Sequence, residues 1–566
     1  MKHPPNGKDV GADANLAAKV NGEAITTNEG TLYMSKPYRS RNSKKLKTAL
    51  AFVPRRSAFD ISNEESSKNH FRGFFSLFWI SIFIFTMRTY IRSFQDHGRP
   101  LNLELATLFS RDARVLALSD AVLVLSTSIC VPFAKAVRNG WIKYYWTGVA
   151  LQHLLQTFIL FAAVKWTFNR QWPWVQSGFL TLHTLVMIMK MHSYMSVNGS
   201  LKNTSKLRDK VFAQLLEATS RVGGFDAALA AAKARRAELD AGPSSSASTP
   251  AVGTPDLPAG ATTSYMDASA AAMLRNRLLK AQNGVQPQAV DAEDVKKAER
   301  APTPHPLVDH PDSQIVDLAL EYSELDADLV SSGPEYVRWP ENITYKNFAM
   351  YMLIPSLVYD LEYPRTNRIR PLYVFEKTVA TFGTFALLYT MTETFIIPVT
   401  KIEQSFFMSL LDLALPFMVA YLLLFYIMFE CICNGFAELS YFADREFYED
   451  WWNSTSTEEY SRKWNKPVHT FLLRHVYAST ISSLHFSRSQ AMFATFLLSA
   501  CAHELVMTIV SQKIRMYLFT MQLIQIPMIM VQRLPAIKNN KMLGNVVFWL
   551  GLFAGFPMLC VAYVTY

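Results

Sequence analysis

The chain has 566 residues, of which 50% are hydrophobic and 18% are charged, and its formal net charge is +10. Apolar runs of about 20 residues recur from Phe71 onward, and a run of that length crosses a bilayer, so the distribution of apolar residues excludes a soluble multidomain protein. Lys and Arg gather at the ends of these runs, as they do beside anionic lipid, and no basic stripe interleaved with aromatic residues indicates nucleic-acid binding.

Residues 1–68 are polar and rich in Asn, Ser, Lys and Gly, which predicts a disordered cytosolic tail without the apolar core of a secretory signal. The cysteines lie in or at the edge of apolar segments and show neither metal-ligand spacing nor a disulfide pattern, so we expect buried thiols and no metal. They are Cys130, Cys431, Cys433, Cys501 and Cys560.

Residues 69–200 contain four predicted membrane spans, each bounded by basic or aromatic residues. They are placed at Phe71–Tyr90, Val115–Val137, Tyr144–Phe168 and Trp174–Tyr194. Residues 201–338 then turn to Ala, Ser, Pro, Asp and Glu, which predicts a flexible, low-complexity cytosolic insertion without a core. One Ala-rich helix is expected inside it, around Asp226–Leu239.

Residues 339–566 are predicted to hold five more spans, preceded by a short, Pro-broken apolar stretch after Tyr345 that indicates a re-entrant or interfacial helix. The spans are placed at Val374–Pro398, Ser409–Asn434, Gln490–Val510, Ile514–Gln532 and Leu543–Tyr566. The predicted fold class is therefore an all-α polytopic membrane helix bundle of about nine spans. The positive-inside rule places the N-terminus in the cytosol.

His503 is the clearest candidate for chemistry, because it lies inside the span FATFLLSACAHELVMTIV, where an ionisable side chain is costly. Ser499 shares its helix face at i−4, and small neighbours leave room for a substrate. The alternative is a histidine that only hydrogen-bonds across a helix interface. The preceding segment, residues 445–477, is dense in aromatic, amide and charged groups, which suits the wall of a polar cavity and favours a functional role.

Several other reaction classes lack their motifs. The chain has no G-x-S-x-G nucleophile elbow, and HELVM has Met507 where a zinc metalloprotease helix carries its second histidine. No H-x-x-x-x-D acid–base pair and no Gly-rich phosphate loop are present, which argues against glycerophosphate-type acyl transfer and against ATP use.

The strings FYEDWWN at Phe447–Asn453 and WNKPVH at Trp464–His469, together with His503, resemble the membrane-bound O-acyltransferases, in the branch of sterol and diacylglycerol acyltransferases. The first string is highly specific to that branch. The run KWNKPVHTFLLRHVYAS and the C-terminal GNVVFWLGL are most similar to fungal sterol O-acyltransferases. The resemblance covers the membrane regions and leaves out the tail and the 201–338 insertion.

This resemblance implies a helix bundle with a central reaction chamber, opened sideways to lipid and reached from the cytosol by acyl-CoA. It implies transfer of a long-chain acyl group from acyl-CoA to a sterol 3-hydroxyl, giving steryl ester for storage, in the endoplasmic reticulum membrane. Acyl-CoA is then a substrate, so no cofactor is expected. Members of the family usually assemble as dimers or tetramers, which implies a homodimer or homotetramer here.

Carried onto matching positions, the family's functional pair is His503 as catalytic base and Asn465 as its amide partner. A neutral imidazole accepts the proton of the sterol hydroxyl and passes it to the departing thiolate. Asn465 either donates to the oxyanion or fixes the imidazole tautomer. The alternative for Asn465 is a helix cap or an interhelix hydrogen bond.

The same comparison of motifs gives further candidates around this pair. Motif and substrate-lining candidates are Phe447, Tyr448, Asp450, Trp451, Trp452, Asn453, Trp464, His469, Ser499 and Glu504. Candidates for contact with the phosphates of coenzyme A are Arg462, Lys463, Lys466 and Arg474, for which contact with lipid headgroups is an equal alternative. The Trp pair equally suits packing or an interfacial anchor, and His475 is expected to be structural.

Three rival interpretations stay open at this stage. Diacylglycerol replaces the sterol in the first. In the second, Cys501 is an acyl-enzyme nucleophile, although two residues of helix separate its face from that of His503. The third is a membrane transporter with His503, Asp412 and Glu438 as a relay, for which we find no inverted repeat in the sequence.

Overall fold

A computed structural model describes residues 25–27, 30–32, 52, 54–60, 72–99, 106–107, 110–241, 303–331, 333, 335–400, 402 and 404–565. The membrane regions are helical, which confirms the predicted all-α class. One antiparallel pair of short strands, β1 (Ile25–Thr27) and β2 (Gly30–Leu32), lies within the first 68 residues.

The helices follow one another along the chain with short connections. The first are α1 (Arg72–His97), α2 (Ala113–Asn139), α3 (Tyr144–Arg170), α4 (Trp174–Ser220), α5 (Phe225–Ala241), α6 (Ser313–Asp328) and α7 (Tyr345–Leu353). The next are α8 (Pro371–Thr400), α9 (Phe406–Leu439), α10 (Thr457–Lys463), α11 (466–484) and α12 (Arg488–Ser511). The last are α13 (Tyr517–Gln532), α14 (Pro535–Lys538) and α15 (Lys541–Thr565).

A helix lies at each position where the sequence predicts a membrane span. Six of these helices, namely α2, α3, α8, α9, α12 and α15, are long and apolar enough to cross a bilayer. Helix α13 has 16 residues and is shorter than a full crossing. The protein is thus an integral, multi-pass membrane protein, and the count of nine spans stays a prediction.

The chain divides into two compact units, of which one comprises Met1–Lys45 and Leu201–Trp339. In this unit the end of α4, helix α5 and helix α6 share a core in which Leu215, Leu307 and Ala319 are fully buried. The prediction that residues 201–338 form no core is therefore wrong for their described parts, because Ala and Leu recur at helical spacing there. The predicted Ala-rich helix is confirmed as α5, and the tract 242–302 lies outside the described residues.

The second unit comprises Leu46–Ser200 and Pro340–Tyr566 and contains the predicted spans. The predicted short helix after Tyr345 is α7, and a buried lysine holds its C-terminal end. The ammonium of Lys190 donates to the carbonyl oxygens of Tyr351 and Ile354, at 3.0 and 2.7 Å. A cation at the C-terminus of a helix neutralises the unpaired carbonyls there, which explains how a lysine is accommodated in the core.

The predicted disorder of residues 1–68 is wrong for residues 54–60. Ser57 and Asp60 are only 1% and 3% exposed, and both bind residues more than 300 positions away in the sequence. Local composition could not reveal this, because the segment is held by distant hydrogen bonds and ion pairs and has no apolar periodicity of its own.

Candidate active site

The string FYEDWWN forms the centre of an aromatic core. Phe447, Tyr448 and Trp451 are at most 4% exposed and pack with Trp464 and with Phe425 of α9. Trp452 is half-buried, and only Asp450 and Asn453 of the string are exposed. Most of the motif residues are therefore packing residues, which answers the question left open for the Trp pair in favour of packing.

Hydrogen bonds from two spans fix this motif. The hydroxyl of Tyr448 donates to the buried carboxyl group of Glu430 on α9, at 2.9 Å. The carbonyl oxygen of Trp452 accepts from the side chains of Asn545 and Trp549 on α15, each at 3.1 Å. The C-terminal run GNVVFWLGL thus clamps the motif, a role that sequence patterns alone could not reveal.

The basic candidates for phosphate contact differ in how far they are already paired. Lys463 contacts Asp450 and Glu459, each at 2.8 Å, and Lys466 contacts Glu446 and Glu449, each at 2.6 Å. These pairs neutralise both ammonium groups within the chain.

The two arginines are less committed. Arg474 is half-buried and donates to the carbonyl oxygen of Tyr359 at 3.5 Å. Arg462 is exposed, and its side chain has no hydrogen bond or ion pair with the described residues. Arg462 is therefore the cation of this group that is most available to a phosphate.

Asn465 is the N-cap of α11. Its Oδ1 accepts the backbone N–H of Val468 at 3.2 Å, which is the cap role considered as an alternative. Capping uses the carbonyl oxygen of the amide and leaves its NH2 group to donate elsewhere. Within the described residues no hydrogen bond joins Asn465 to His503, so the structure does not itself bring the predicted pair into contact.

His469 lies one turn further along α11, outside the candidate spans, and is half-buried. Burial, followed by the positive charges of Arg462 and Lys466, lowers the pKa of its imidazole below the usual 6.5. His469 is therefore neutral near pH 7. The nearby His475 is buried and shares a 2.7 Å hydrogen bond with Ser193, which confirms the structural role expected for it.

His503 lies in the second half of α12 with Ser499 on the same face. Its Nδ1 is 2.7 Å from the carbonyl oxygen of Ser499 and 3.4 Å from the hydroxyl of that residue. A carbonyl oxygen only accepts, so Nδ1 carries the proton and Nε2 of the neutral ring presents its lone pair. The local geometry thus leaves a proton acceptor pointing away from the helix backbone.

The imidazole of His503 is exposed in the single chain, as is the thiol of Cys501. The expectation that the chain itself buries His503 is therefore wrong for the described residues. The reason is the packing of α12, which buries Ala500 and Glu504 and leaves His503 on another face. Residues two positions apart on a helix differ by about 200° around its axis, so His503 and Cys501 face different directions.

Glu504 does not line an open cavity, as the sequence suggested. Its side chain is 5% exposed and accepts the backbone N–H groups of Met516 and Phe519, at 2.8 and 3.1 Å. The hydroxyl of Tyr563 donates to the same carboxyl group at 3.1 Å. Glu504 therefore joins the helix of His503 to the start of α13 and to α15.

The residues named for a transporter relay are occupied elsewhere. Glu438 binds Arg370 at 3.1 Å and also Arg445, and Asp412 is hydrogen-bonded to Gln404 at 3.2 Å. No described hydrogen bond or ion pair links them to His503. Among the described residues, no group of three His, Cys, Asp or Glu side chains is arranged to hold a metal ion.

Comparison with known proteins gives the family. The model of the membrane-bound O-acyltransferase family matches residues 158–565. A probable sterol O-acyltransferase 1 of Schizosaccharomyces pombe is 32% identical over 91% of this chain and 86% of its own length. Sterol O-acyltransferase 2 of Candida albicans is 30% identical over 90% of this chain and 78% of its own length. Diacylglycerol O-acyltransferase 1-2 of Oryza sativa is 35% identical over 41% of this chain and 50% of its own length. The chain belongs to the membrane-bound O-acyltransferase family.

Proposed function

We propose that the protein is a sterol O-acyltransferase, which transfers a long-chain acyl group from acyl-CoA to the 3-hydroxyl of a sterol. The observation that carries this proposal is the extent of similarity. The fungal sterol O-acyltransferases align with about nine tenths of the chain, whereas the diacylglycerol acyltransferase aligns with 41% of it. No cofactor is proposed, because acyl-CoA is itself a substrate.

The proposed base is Nε2 of His503, since the hydrogen bond from Nδ1 to Ser499 leaves that nitrogen unprotonated. The sterol hydroxyl transfers its proton to Nε2 as its oxygen attacks the thioester carbonyl. The tetrahedral intermediate collapses to the ester, and the imidazolium returns the proton to the departing thiolate. The products are steryl ester and free coenzyme A, and the histidine ends unprotonated.

Asn465 is proposed as the donor to the oxyanion of that intermediate. The carbonyl of Ser499 already sets the tautomer of His503, so the amide is not needed for that purpose. The cap bond to Val468 occupies Oδ1 and directs the NH2 group away from α11. One such donor typically lowers a barrier by about 3 kcal/mol. This assignment requires Asn465 and His503 to converge on the substrate carbonyl.

Water must be kept from the thioester, or hydrolysis competes with transfer. The exposed position of His503 indicates that the chain's own side chains do not supply this dryness. We infer that membrane hydrocarbon and the two lipidic substrates do so. Arg462 is the proposed contact for a coenzyme A phosphate, because Lys463 and Lys466 are already paired with acidic groups.

We further propose the endoplasmic reticulum membrane as the location, with a cytosolic N-terminus. The basic residues at the cytosolic ends of the predicted spans support this orientation. A homodimer or homotetramer is the proposed assembly. Both proposals rest on the family resemblance of the sequence.

The test is an assay of purified protein with radiolabelled oleoyl-CoA and one acceptor at a time. The acceptors are ergosterol, cholesterol and diacylglycerol, and a reaction without acceptor measures hydrolysis. Labelled steryl ester is the expected product. Ester with diacylglycerol alone would keep the chemistry and overturn the sterol assignment, and no ester with any acceptor would overturn both.

A further inference from the structure

The segment from Pro54 to Asp60, here called the strap, lies beside the residues that lead into the FYEDWWN motif. The backbone N–H of Arg55 donates to the carbonyl of Ala443 at 3.0 Å, and its carbonyl accepts the N–H of Arg445 at 3.0 Å. Arg55 and Asp444 thus form a parallel bridge between two distant parts of the chain. Two backbone hydrogen bonds fix the register of the strap at this point.

Ion pairs reinforce the same register. The guanidinium of Arg55 contacts both carboxyl oxygens of Asp444, at 2.9 and 2.8 Å, and also pairs with Glu446. At the other end, Asp60 pairs with Arg370 at 3.0 Å. Two-point contact between guanidinium and carboxylate fixes orientation as well as position.

The middle of the strap enters a buried polar cluster. Ser57 is 1% exposed and its hydroxyl donates to Glu430, which is fully buried. The same carboxyl group accepts from Tyr448 of the motif at 2.9 Å and from Lys377 at 2.7 Å. A single lysine balances the charge of Glu430, so the cluster has no room for a second negative charge at position 57.

A short path of contacts leads from the strap to the proposed oxyanion donor. Glu446 pairs with Arg55 and also with Lys466, at 2.6 Å from the latter. Lys466 directly follows Asn465, and its backbone N–H donates to the carbonyl of Phe447 at 3.0 Å. The strap, the motif and the Asn465 turn are therefore held together by one continuous set of hydrogen bonds and ion pairs.

We propose that Arg55 and Ser57 are positioning residues for acyl transfer, and that the seated strap keeps the motif and the Asn465 turn in their productive geometry. This inference rests on the proposed function. The strap acts through Glu446 and Glu430 and does not touch substrate. Unseating it lowers the rate of the chemical step, because an oxyanion donor contributes only when it is held in place.

The first test places a negative charge in the buried cluster. Ser57→Asp is expected to lower kcat by at least about tenfold per folded molecule, with the KM for sterol little changed, because only a transition-state contact is displaced. Ser57→Thr keeps the hydroxyl and should retain activity. Ala58→Asp adds the same charge at the neighbouring exposed position and is the matched control. Wild-type kcat in Ser57→Asp, with normal turnover by the unchanged protein, would overturn the proposal.

The second test locks the strap in place without a charge change at Ser57. Paired strands lie about 4.8 Å apart, which is within the range that a disulfide spans, so Arg55→Cys with Asp444→Cys should cross-link on oxidation. The oxidised double variant is expected to be at least about fivefold more active than its reduced form. Single-cysteine variants should show no such redox dependence.

Equal activity in both redox states, failure of the cross-link to form, or loss of activity on oxidation would each overturn the proposal. These outcomes are separate from failure of the proposed function. If the wild-type chain forms no ester with any acceptor, the proposed function fails. If it forms ester and the strap variants match it, only this inference fails.

Discussion

The carboxyl group of Glu504 accepts the backbone N–H of Met516 at 2.8 Å, so the residue next to His503 caps the following helix. Acidic side chains favour this position, because the first N–H groups of a helix are unpaired and the dipole is positive there. The contact fixes the second half of α12 relative to α13. His503 is thereby carried on a helix whose position is set by its neighbour.

We therefore expect Glu504→Gln to lower both thermal stability and turnover. The neutral amide has one acceptor oxygen for donors that now share two, and a buried unpaired donor costs about 1–3 kcal/mol. Glu458→Gln is the matched control, since Glu458 is 44% exposed and its pair with Arg533 contributes little. Equal melting temperatures for the two variants would contradict the capping role.

Gly544 contacts the motif loop closely enough to exclude any side chain. A Cβ at this position would lie 2.7 Å from the carbonyl oxygen of Thr455, which is backbone and cannot easily move. Gly544→Ala should therefore destabilise the protein by about 1–3 kcal/mol. Gly555→Ala, where the nearest atom is the flexible end of Met521 at 3.6 Å, should be neutral or slightly stabilising. Thermal unfolding of both variants in one detergent gives the comparison, and an unchanged Gly544→Ala would refute the contact.

The lowered pKa of His469 predicts a pH dependence of stability. The folded state favours the neutral ring, so its contribution is present above the unfolded pKa of about 6.5 and is lost as pH falls below it. His469→Gln removes this titration. We expect the melting temperature to fall less between pH 7.5 and pH 5.5 in His469→Gln than in the wild-type chain. An identical fall would show that His469 is not coupled to Arg462 and Lys466.

Cys501→Ala should retain most acyl transfer activity. The thiol lies about 200° around α12 from His503, so the imidazole does not activate it. Initial rates with labelled acyl-CoA compare this variant with the wild-type chain. Loss of activity in Cys501→Ala with no loss in His503→Ala would assign the mechanism to the thiol.

The positions of the helices, the short helix after Tyr345 and the buried motif follow from apolar periodicity and from the FYEDWWN string. These are local features, and local patterns suffice for them. The core of residues 201–241 and 303–339 was hidden by the low-complexity tract between its two parts. Composition averaged over the whole stretch conceals short amphipathic helices.

The partners of charged residues could not be predicted in the same way. Lys463 and Lys466 read as cations available to phosphate, yet both are paired with acidic groups at 2.6–2.8 Å. The strap is a stronger case, because Arg55 and Asp444 are 389 positions apart. A single sequence gives the charge of each residue, and only the fold shows which opposite charge lies beside it.

The exposure of His503 makes the central claim easy to test, since substitutions at exposed positions usually change stability by less than about 0.5 kcal/mol. The decisive measurement is the initial rate of steryl ester formation by His503→Ala, purified with an unchanged melting temperature. Loss of the base predicts a rate at least about 100-fold below that of the wild-type chain. A rate within a few-fold of wild type would contradict the account.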